Sequence, residues 1–170
     1  MWGSRGVFYF LEIGETVLLH IRSGETYPVS FLALQPYDIQ HQMHDWEKGF
    51  DWSIYFSQRG IEIYKMVVRG NTAIQGAISL EGKEDHVWVH LIESIPSQRK
   101  EFSRVGLHLL AFACKRSSEL GLGGAVALQS KIKPRLIHYY TSIVGASHFG
   151  GGLIIIDEIV AKRLIMLYFP

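Results

Sequence analysis

The chain has little of several things, and each scarcity excludes a class. A single cysteine, Cys114, among 170 residues rules out an intramolecular disulfide framework and any multi-cysteine metal centre, and it favours a reducing, cytoplasmic setting. Net charge is almost absent at +1, so no global field draws the chain to nucleic acid or to an anionic membrane. There is no Pro/Ser-rich linker, low-complexity tract or internal repeat, so residues 1–170 are expected to form one domain. Long apolar runs are missing too. Residues 1–13 are interrupted by Glu12 with Glu15 close behind, and lack a small-residue cleavage site, so they read as a strand rather than a leader. Residues 150–156 fall far short of the ~20 needed to cross a bilayer.

What is present is an ordinary globular composition, 48% hydrophobic and 19% charged, arranged in an informative order. Two β-leaning runs, 7–13 and 16–21, flank Gly14. Ile39, Met43 and Trp46 recur at helical spacing and predict a helix over 36–48, closed by Gly49. Runs 52–56, 61–68 and 72–80 are broken by turn residues and predict an antiparallel meander. In the next strand, 86–93, Val87, Val89 and Leu91 alternate with Trp88, His90 and Ile92. Phe102, Val105, Leu109, Phe112 and Ala113 form one stripe of a helix reaching Leu120, and glycines 121, 123 and 124 stop it. A buried strand over 125–128 follows. A helix over 134–144 begins near Pro134 and is capped by Gly145, a strand or hairpin spans 147–156, and Asp157 caps a final helix. This order predicts an α+β sheet with helices on its faces, whose crossover from strand to loop to helix gathers unpaired N–H groups suited to an anion.

Several stretches carry a family likeness. Residues 105–115, VGLHLLAFACK, resemble a loop-to-helix motif written G-V-G-x-H-L-F-A-F-A-C-K. Leu136-Ile137-His138-Tyr139-Tyr140, followed by Gly145-Ala146, resembles L-I-x-H-Y followed by G-A, with Tyr139 where that pattern has histidine. Phe50-Asp51-Trp52 and Ile74-Gln75-Gly76 resemble F-D-W and I-Q-G. On these residues the chain resembles the GCN5-related N-acetyltransferase (GNAT) superfamily, and within it a group of small bacterial members. The likeness runs from about Phe50 onward and leaves the first forty-odd residues uncovered.

The resemblance implies an α/β/α-layered acyl-CoA N-acyltransferase fold, a mixed but mainly antiparallel sheet splayed between its fourth and fifth core strands, here 86–93 and 125–128. Acetyl-CoA is then the cosubstrate. Its pantetheine arm lies along strand backbone near Ile92 and Ser94, and its pyrophosphate rests on the loop 98–108, which carries Arg99, Lys100, Arg104, Val105, Gly106, Leu107 and His108, with Lys131 meeting the adenosine phosphate. The superfamily loop follows Arg/Gln-x-x-Gly-x-Gly/Ala, and the aligned positions here are Glu101, Arg104 and Gly106. A carboxylate at 101 repels a pyrophosphate by ~1 kcal/mol in a wet site, whereas the Arg104 guanidinium can grip one in two places.

For catalysis the resemblance offers Tyr140 as the acid that protonates the leaving thiolate and Glu93 as the base. His90 reads as a packed or surface residue ahead of a second candidate base, Cys114 as a small buried hydrophobe, and Lys133 and Arg135 as cations near a phosphate or RNA. His41 and His44 share a helix face but have no third ligand in the sequence, so no metal is expected. The expected activity is direct acetyl transfer to an unidentified small-molecule or peptide amine, with no nucleic-acid or membrane partner and a homodimer left open. The other reading is a non-catalytic GNAT-like domain whose altered loop serves as a binding module.

Overall fold

The structure is a computed structural model that describes residues 16–170; the expected run 7–13 lies outside the described residues. Among the described residues nine strands form one sheet: β1 (Val17–His20), β2 (Thr26–Ala33), β3 (Ile61–Val68), β4 (Ile74–Gly82), β5 (Val87–Ser94), β6 (Phe102–Ser103), β7 (Val126–Gln129), β8 (Ser147–His148) and β9 (Leu153–Ile156). Their order is β6-β1-β2-β3-β4-β5-β7-β9-β8. All neighbours are antiparallel except β5 and β7. That parallel pair needs a crossover, which α2 (Val105–Glu119) supplies. The other helices are α1 (Pro36–Gln42), α3 (Pro134–His138) and α4 (Glu158–Tyr168). None of the helices among the described residues is long and apolar enough to cross a membrane.

The sheet separates two apolar clusters. On one side Met66, Ile78, Leu80, Val87, Val89 and Val126 meet the buried stripe of α2, with Ala161 and Leu164 of α4. On the other, Leu34, Met43, Trp46, Trp52 and Ile95 cover Val67, Ile74 and Ala77. Cys114 is fully buried, and burial pushes its thiol up to about 12, so it behaves as a packing residue. His108, expected one turn into the helix, is buried. Its Nδ1 lies 2.7 Å from the Arg104 carbonyl and its Nε2 2.9 Å from that of Val17, so it ties β1 to the start of α2.

Four expectations need correction. Residues 52–56 are not a strand; Asp51 accepts the Ser53 amide at 3.1 Å and starts a single 3-10 turn, Trp52–Tyr55. The first helix is shorter than 36–48, ending at Gln42, whose side chain leaves the helix to bond Thr72 O and the Ile74 amide, both at 2.8 Å. Strand β2 was missed because Pro28 interrupts its pattern, yet Pro28 lies where β2 is still paired with β1 and before it joins β3. Within residues 134–144 the α-helix gives way at Tyr139 to a π-helical turn, Tyr139–Val144, although the cap at Gly145 stands, with φ 89°.

The fifth strand also departs from simple alternation. Ser79 pairs with Leu91 and Leu80 with Val89, so His90 is an extra residue without a partner on β4. This β-bulge switches faces: Val87 and Val89 look toward α2, but beyond it Ile92 does, while Leu91 turns to the second cluster.

Helix α2 crosses β4 at Gly76, where an added Cβ would stand 2.8 Å from both Leu109 Cδ1 and Val105 Cγ1 and 3.3 Å from the Glu93 carbonyl. Gly76→Ala should therefore cost about 1–3 kcal/mol of stability by overpacking, read as a lower denaturant midpoint with an unchanged slope.

Candidate active site

Strands β5 and β7 are paired only from Val87↔Val126 to Val89↔Leu128. Beyond the bulge β5 continues to Ser94 while β7 ends at Gln129 and leaves through Ser130 and Lys131. The strands part, and a cavity of about 240 Å³ opens between them, lined by Val89, His90, Leu91 and Ile92 from β5 and by Leu128, Gln129, Ser130 and Lys131 from β7. Phe50, Leu136 and Tyr140 complete it.

Tyr140 enters from the π-helical turn with its ring in the main core. Its hydroxyl has no hydrogen-bond partner among the described residues, and burial pushes its pKa up to about 12. The phenol therefore keeps its proton throughout the physiological range. Its neighbour Tyr139, ring centroids 5.4 Å apart, is likewise pushed up to about 12 by burial. The Tyr139 hydroxyl lies against α2, where a Cβ on Gly106 would meet it at 3.0 Å. Gly106 thus permits a close approach that any larger residue would disturb.

Glu93 is half-buried just past the cleft. One carboxylate oxygen accepts the Trp52 indole N–H at 2.9 Å and the other the Glu47 amide at 2.6 Å. Burial raises its pKa, while these two bonds and Lys131 pull the other way. Both oxygens are engaged in holding the 47–52 loop, the loop that carries Phe50 into the cavity wall. Lys131 stands over the Phe50 ring, 5.3 Å from its centroid.

The amides of Val105, Gly106 and Leu107 precede the first intrahelical bond of α2, His108 N to Arg104 O at 3.1 Å, and no side chain among the described residues caps them. The residue before them, Arg104, adopts φ 60° and ψ 30°, the left-handed conformation natural to glycine.

Comparison with solved structures bears on this arrangement. A spermidine N-acetyltransferase from Vibrio cholerae, solved with CoA and spermine, superposes with a TM-score of 0.56 at 13% identity, over 79% of this chain and 98% of that one. Mutant forms of a spermidine/spermine N-acetyltransferase from the same organism give 0.59 at 14% identity, over 80% and 98%. The toxin AtaT, solved with the C-terminus of its antitoxin AtaR, gives 0.54 at 12% identity, over 84% and 99%. The fold is that of the GNAT acetyltransferases. No family model matches the chain, and no curated protein sequence does either.

Within that GNAT frame, the residues expected to hold cosubstrate divide into groups. Ile92 and Lys131 line the cleft with Tyr140, and Ser94 ends β5 opposite Gly76. Val105 and Leu107 turn their side chains into the core with His108, so only backbone N–H groups are on offer there. Arg99 is held by Asp45, Nη2 to Oδ1 at 2.6 Å, and Lys100 and Glu101 line another hollow with His20, Ile21 and Arg22. Arg104 borders a separate hollow of about 560 Å³ beside β1 and the end of α4. The structure does not bring Arg99, Lys100 or Arg104 to the cleft. Lys133 and Arg135 flank Tyr139 at the start of α3. His41 stacks on Tyr37, ring centroids 3.9 Å apart.

Phe50, Gln129 and Ser130 were not singled out by sequence, although the F-D-W stretch held the signal: its Phe walls the cleft and its Trp pins Glu93.

Tyr64, Tyr139 and Tyr140 are each pushed up to about 12, in every case by burial first. Between pH 10 and 12 the folded chain therefore holds protons that the unfolded chain has lost, and stability falls as pH rises through that window. Phenolate absorbance should show these three of the 8 tyrosines titrating late, in one step with alkaline unfolding.

Proposed function

We propose that the protein is an acetyl-CoA-dependent N-acetyltransferase that moves an acetyl group directly to an amine. The observation that carries this reading is the parting of β5 from β7 at Val89 and Leu128, with Tyr140, whose hydroxyl has no partner among the described residues, lining the gap. An edge of β5 left without a strand neighbour among the described residues can bond an extended pantetheine arm as it would another strand. The fit extends to the phosphates. Three uncapped amides at the start of a 15-residue helix suit a pyrophosphate, and Arg104 keeps the left-handed backbone on which the turn depends, although its residue type departs from the superfamily pattern. Spermidine acetyltransferase, with the same fold, was solved with CoA.

In this reading the thioester supplies the acetyl group, and the chain's own residues orient it and manage protons. Tyr140 gives its proton to sulfur as the C–S bond breaks, and the excess proton on the new amide nitrogen restores the phenol. A group that burial holds in its protonated form suits that relay. Glu93 acts as a positioning residue, because each of its oxygens already accepts a bond from the loop that carries Phe50. Lys131 at the cleft mouth, with Lys133 and Arg135 nearby, offers charge to the nucleotide phosphates. The acceptor is a small-molecule or peptide amine.

Calorimetric titration with acetyl-CoA tests the reading. Micromolar binding is expected, weakened at least tenfold by Gly106→Leu, which forces a bulky side chain onto the Tyr139 hydroxyl; absence of heat at millimolar ligand contradicts it. Tyr140→Phe should leave binding intact and lower kcat by about 10²-fold or more, measured as release of free CoA thiol.

A further inference from the structure

Glu93 already accepts one bond on each oxygen from the 47–52 loop, and a second candidate base stands closer to the parting of the strands. His90 is the extra residue of the bulge, the point at which β5 leaves β7, and it lines the cavity. Its Nε2 lies 2.9 Å from Glu81 Oε1, and that carboxylate also holds Lys83, 3.2 Å away. A carboxylate only accepts, so Nε2 carries the proton, and Nδ1 keeps its lone pair with no partner among the described residues. The side chains of His90 and Glu81 are only 21% and 25% exposed.

We propose that His90 is the general base of the acetyl transfer and that Glu81 orients it, the bulge having delivered the imidazole to the cleft on the sheet face away from α2. The inference rests on the acetyltransferase reading. The groups around the imidazole fit the role. Tyr55 packs against it from the 3-10 turn, ring centroids 5.2 Å apart, with Asp51 acting on Tyr55; Glu81 and Lys83 come from β4 and its turn; Lys131 and Tyr140 lie along the same cavity. Glu81, held below the usual carboxylate range first by its bond to His90 and then by Lys83, stays ionised beside an imidazolium.

The step balances. Nδ1 takes one proton from the acceptor ammonium and later passes it to solvent. The freed nitrogen attacks the thioester carbonyl, the C–N bond forms and the C–S bond breaks. The thiolate takes the Tyr140 proton, and the second nitrogen proton returns to the phenolate. Base and acid thus approach from opposite sides of one opening in the sheet.

The test uses the full chain, acetyl-CoA and two small probe acceptors, ethylamine and hydroxylamine, following thiol release against pH, with calorimetry in parallel. His90→Gln should bind acetyl-CoA within about twofold of the parent, lose about 10²-fold or more in kcat, and lose the acid limb of the profile. Glu81→Gln should lower kcat with acetyl-CoA binding and the KM for the amine unchanged, and Glu81→Asp should recover part of the loss, which a merely structural role would not do. A His90→Gln protein that binds acetyl-CoA, turns over at the parent rate and keeps the acid limb overturns the proposal. A parent chain that binds no acetyl-CoA overturns the underlying acetyltransferase reading instead, and the role of His90 falls with it.

Discussion

A parallel pair of strands gains by pairing along its whole length, so a pair that separates halfway needs a cause. Here the cause is one residue. His90 is inserted into β5 opposite the step from Ser79 to Leu80, and pairing with β7 ends at the residue before it. The bulge is held in place: the Leu91 amide donates to the Ser79 hydroxyl at 3.0 Å, and Ser79 is wholly buried. A bulge bends its strand and sharpens the local twist, and in this sheet the bend carries β5 off its neighbour while the pairing with β4 continues through Ser94↔Gly76. The faces exchanged at the bulge then allot the roles. Ile92 closes the core under α2, and Leu91 packs with the second cluster.

The second support of the site is the docking of α2. Its first turn bears directly on β4 because Gly76 has no side chain, and Val105, at the first helical position, is wholly buried. That contact fixes where the uncapped amides of the helix end up. Arg104 sets the turn before them with a positive φ, the sole non-glycine case among the described residues. A residue held there costs of order 1 kcal/mol or more and persists only where its surroundings enforce it. The surroundings are visible: β6 pairs with β1 immediately before it, and the Arg104 carbonyl binds the buried His108.

Much of this was legible in the residues. The strong periods of β3, β4 and α2 and the caps at Gly145 and Asp157 follow from alternation, helical spacing and turn chemistry, whereas the place where the sheet opens is what the family likeness implies. What stayed hidden has physical reasons. A bulge leaves no mark in an alternating apolar pattern when residues on both faces are apolar, so Leu91 and Ile92 exchanged sides unnoticed. Asp51 overrode the strand-like composition of 52–56 by capping a turn. A tyrosine-rich stretch does not announce that its helix widens into a π turn, the turn from which Tyr140 enters the cleft. The partners of Glu93, Trp52 and the Glu47 amide, are more than forty residues away in sequence, so its engagement required the fold.

The proposed activity depends on a stretch of β5 whose outer edge has no strand beside it among the described residues. Amide hydrogen exchange measured across His90–Ser94 with and without acetyl-CoA addresses that edge directly. The account predicts that the amides facing the gap exchange quickly in the free protein, faster than those of Val87–Val89, and become strongly protected when acetyl-CoA is added. Amides already as protected as those of Val87–Val89 in the free protein, with no change on adding acetyl-CoA, would contradict it.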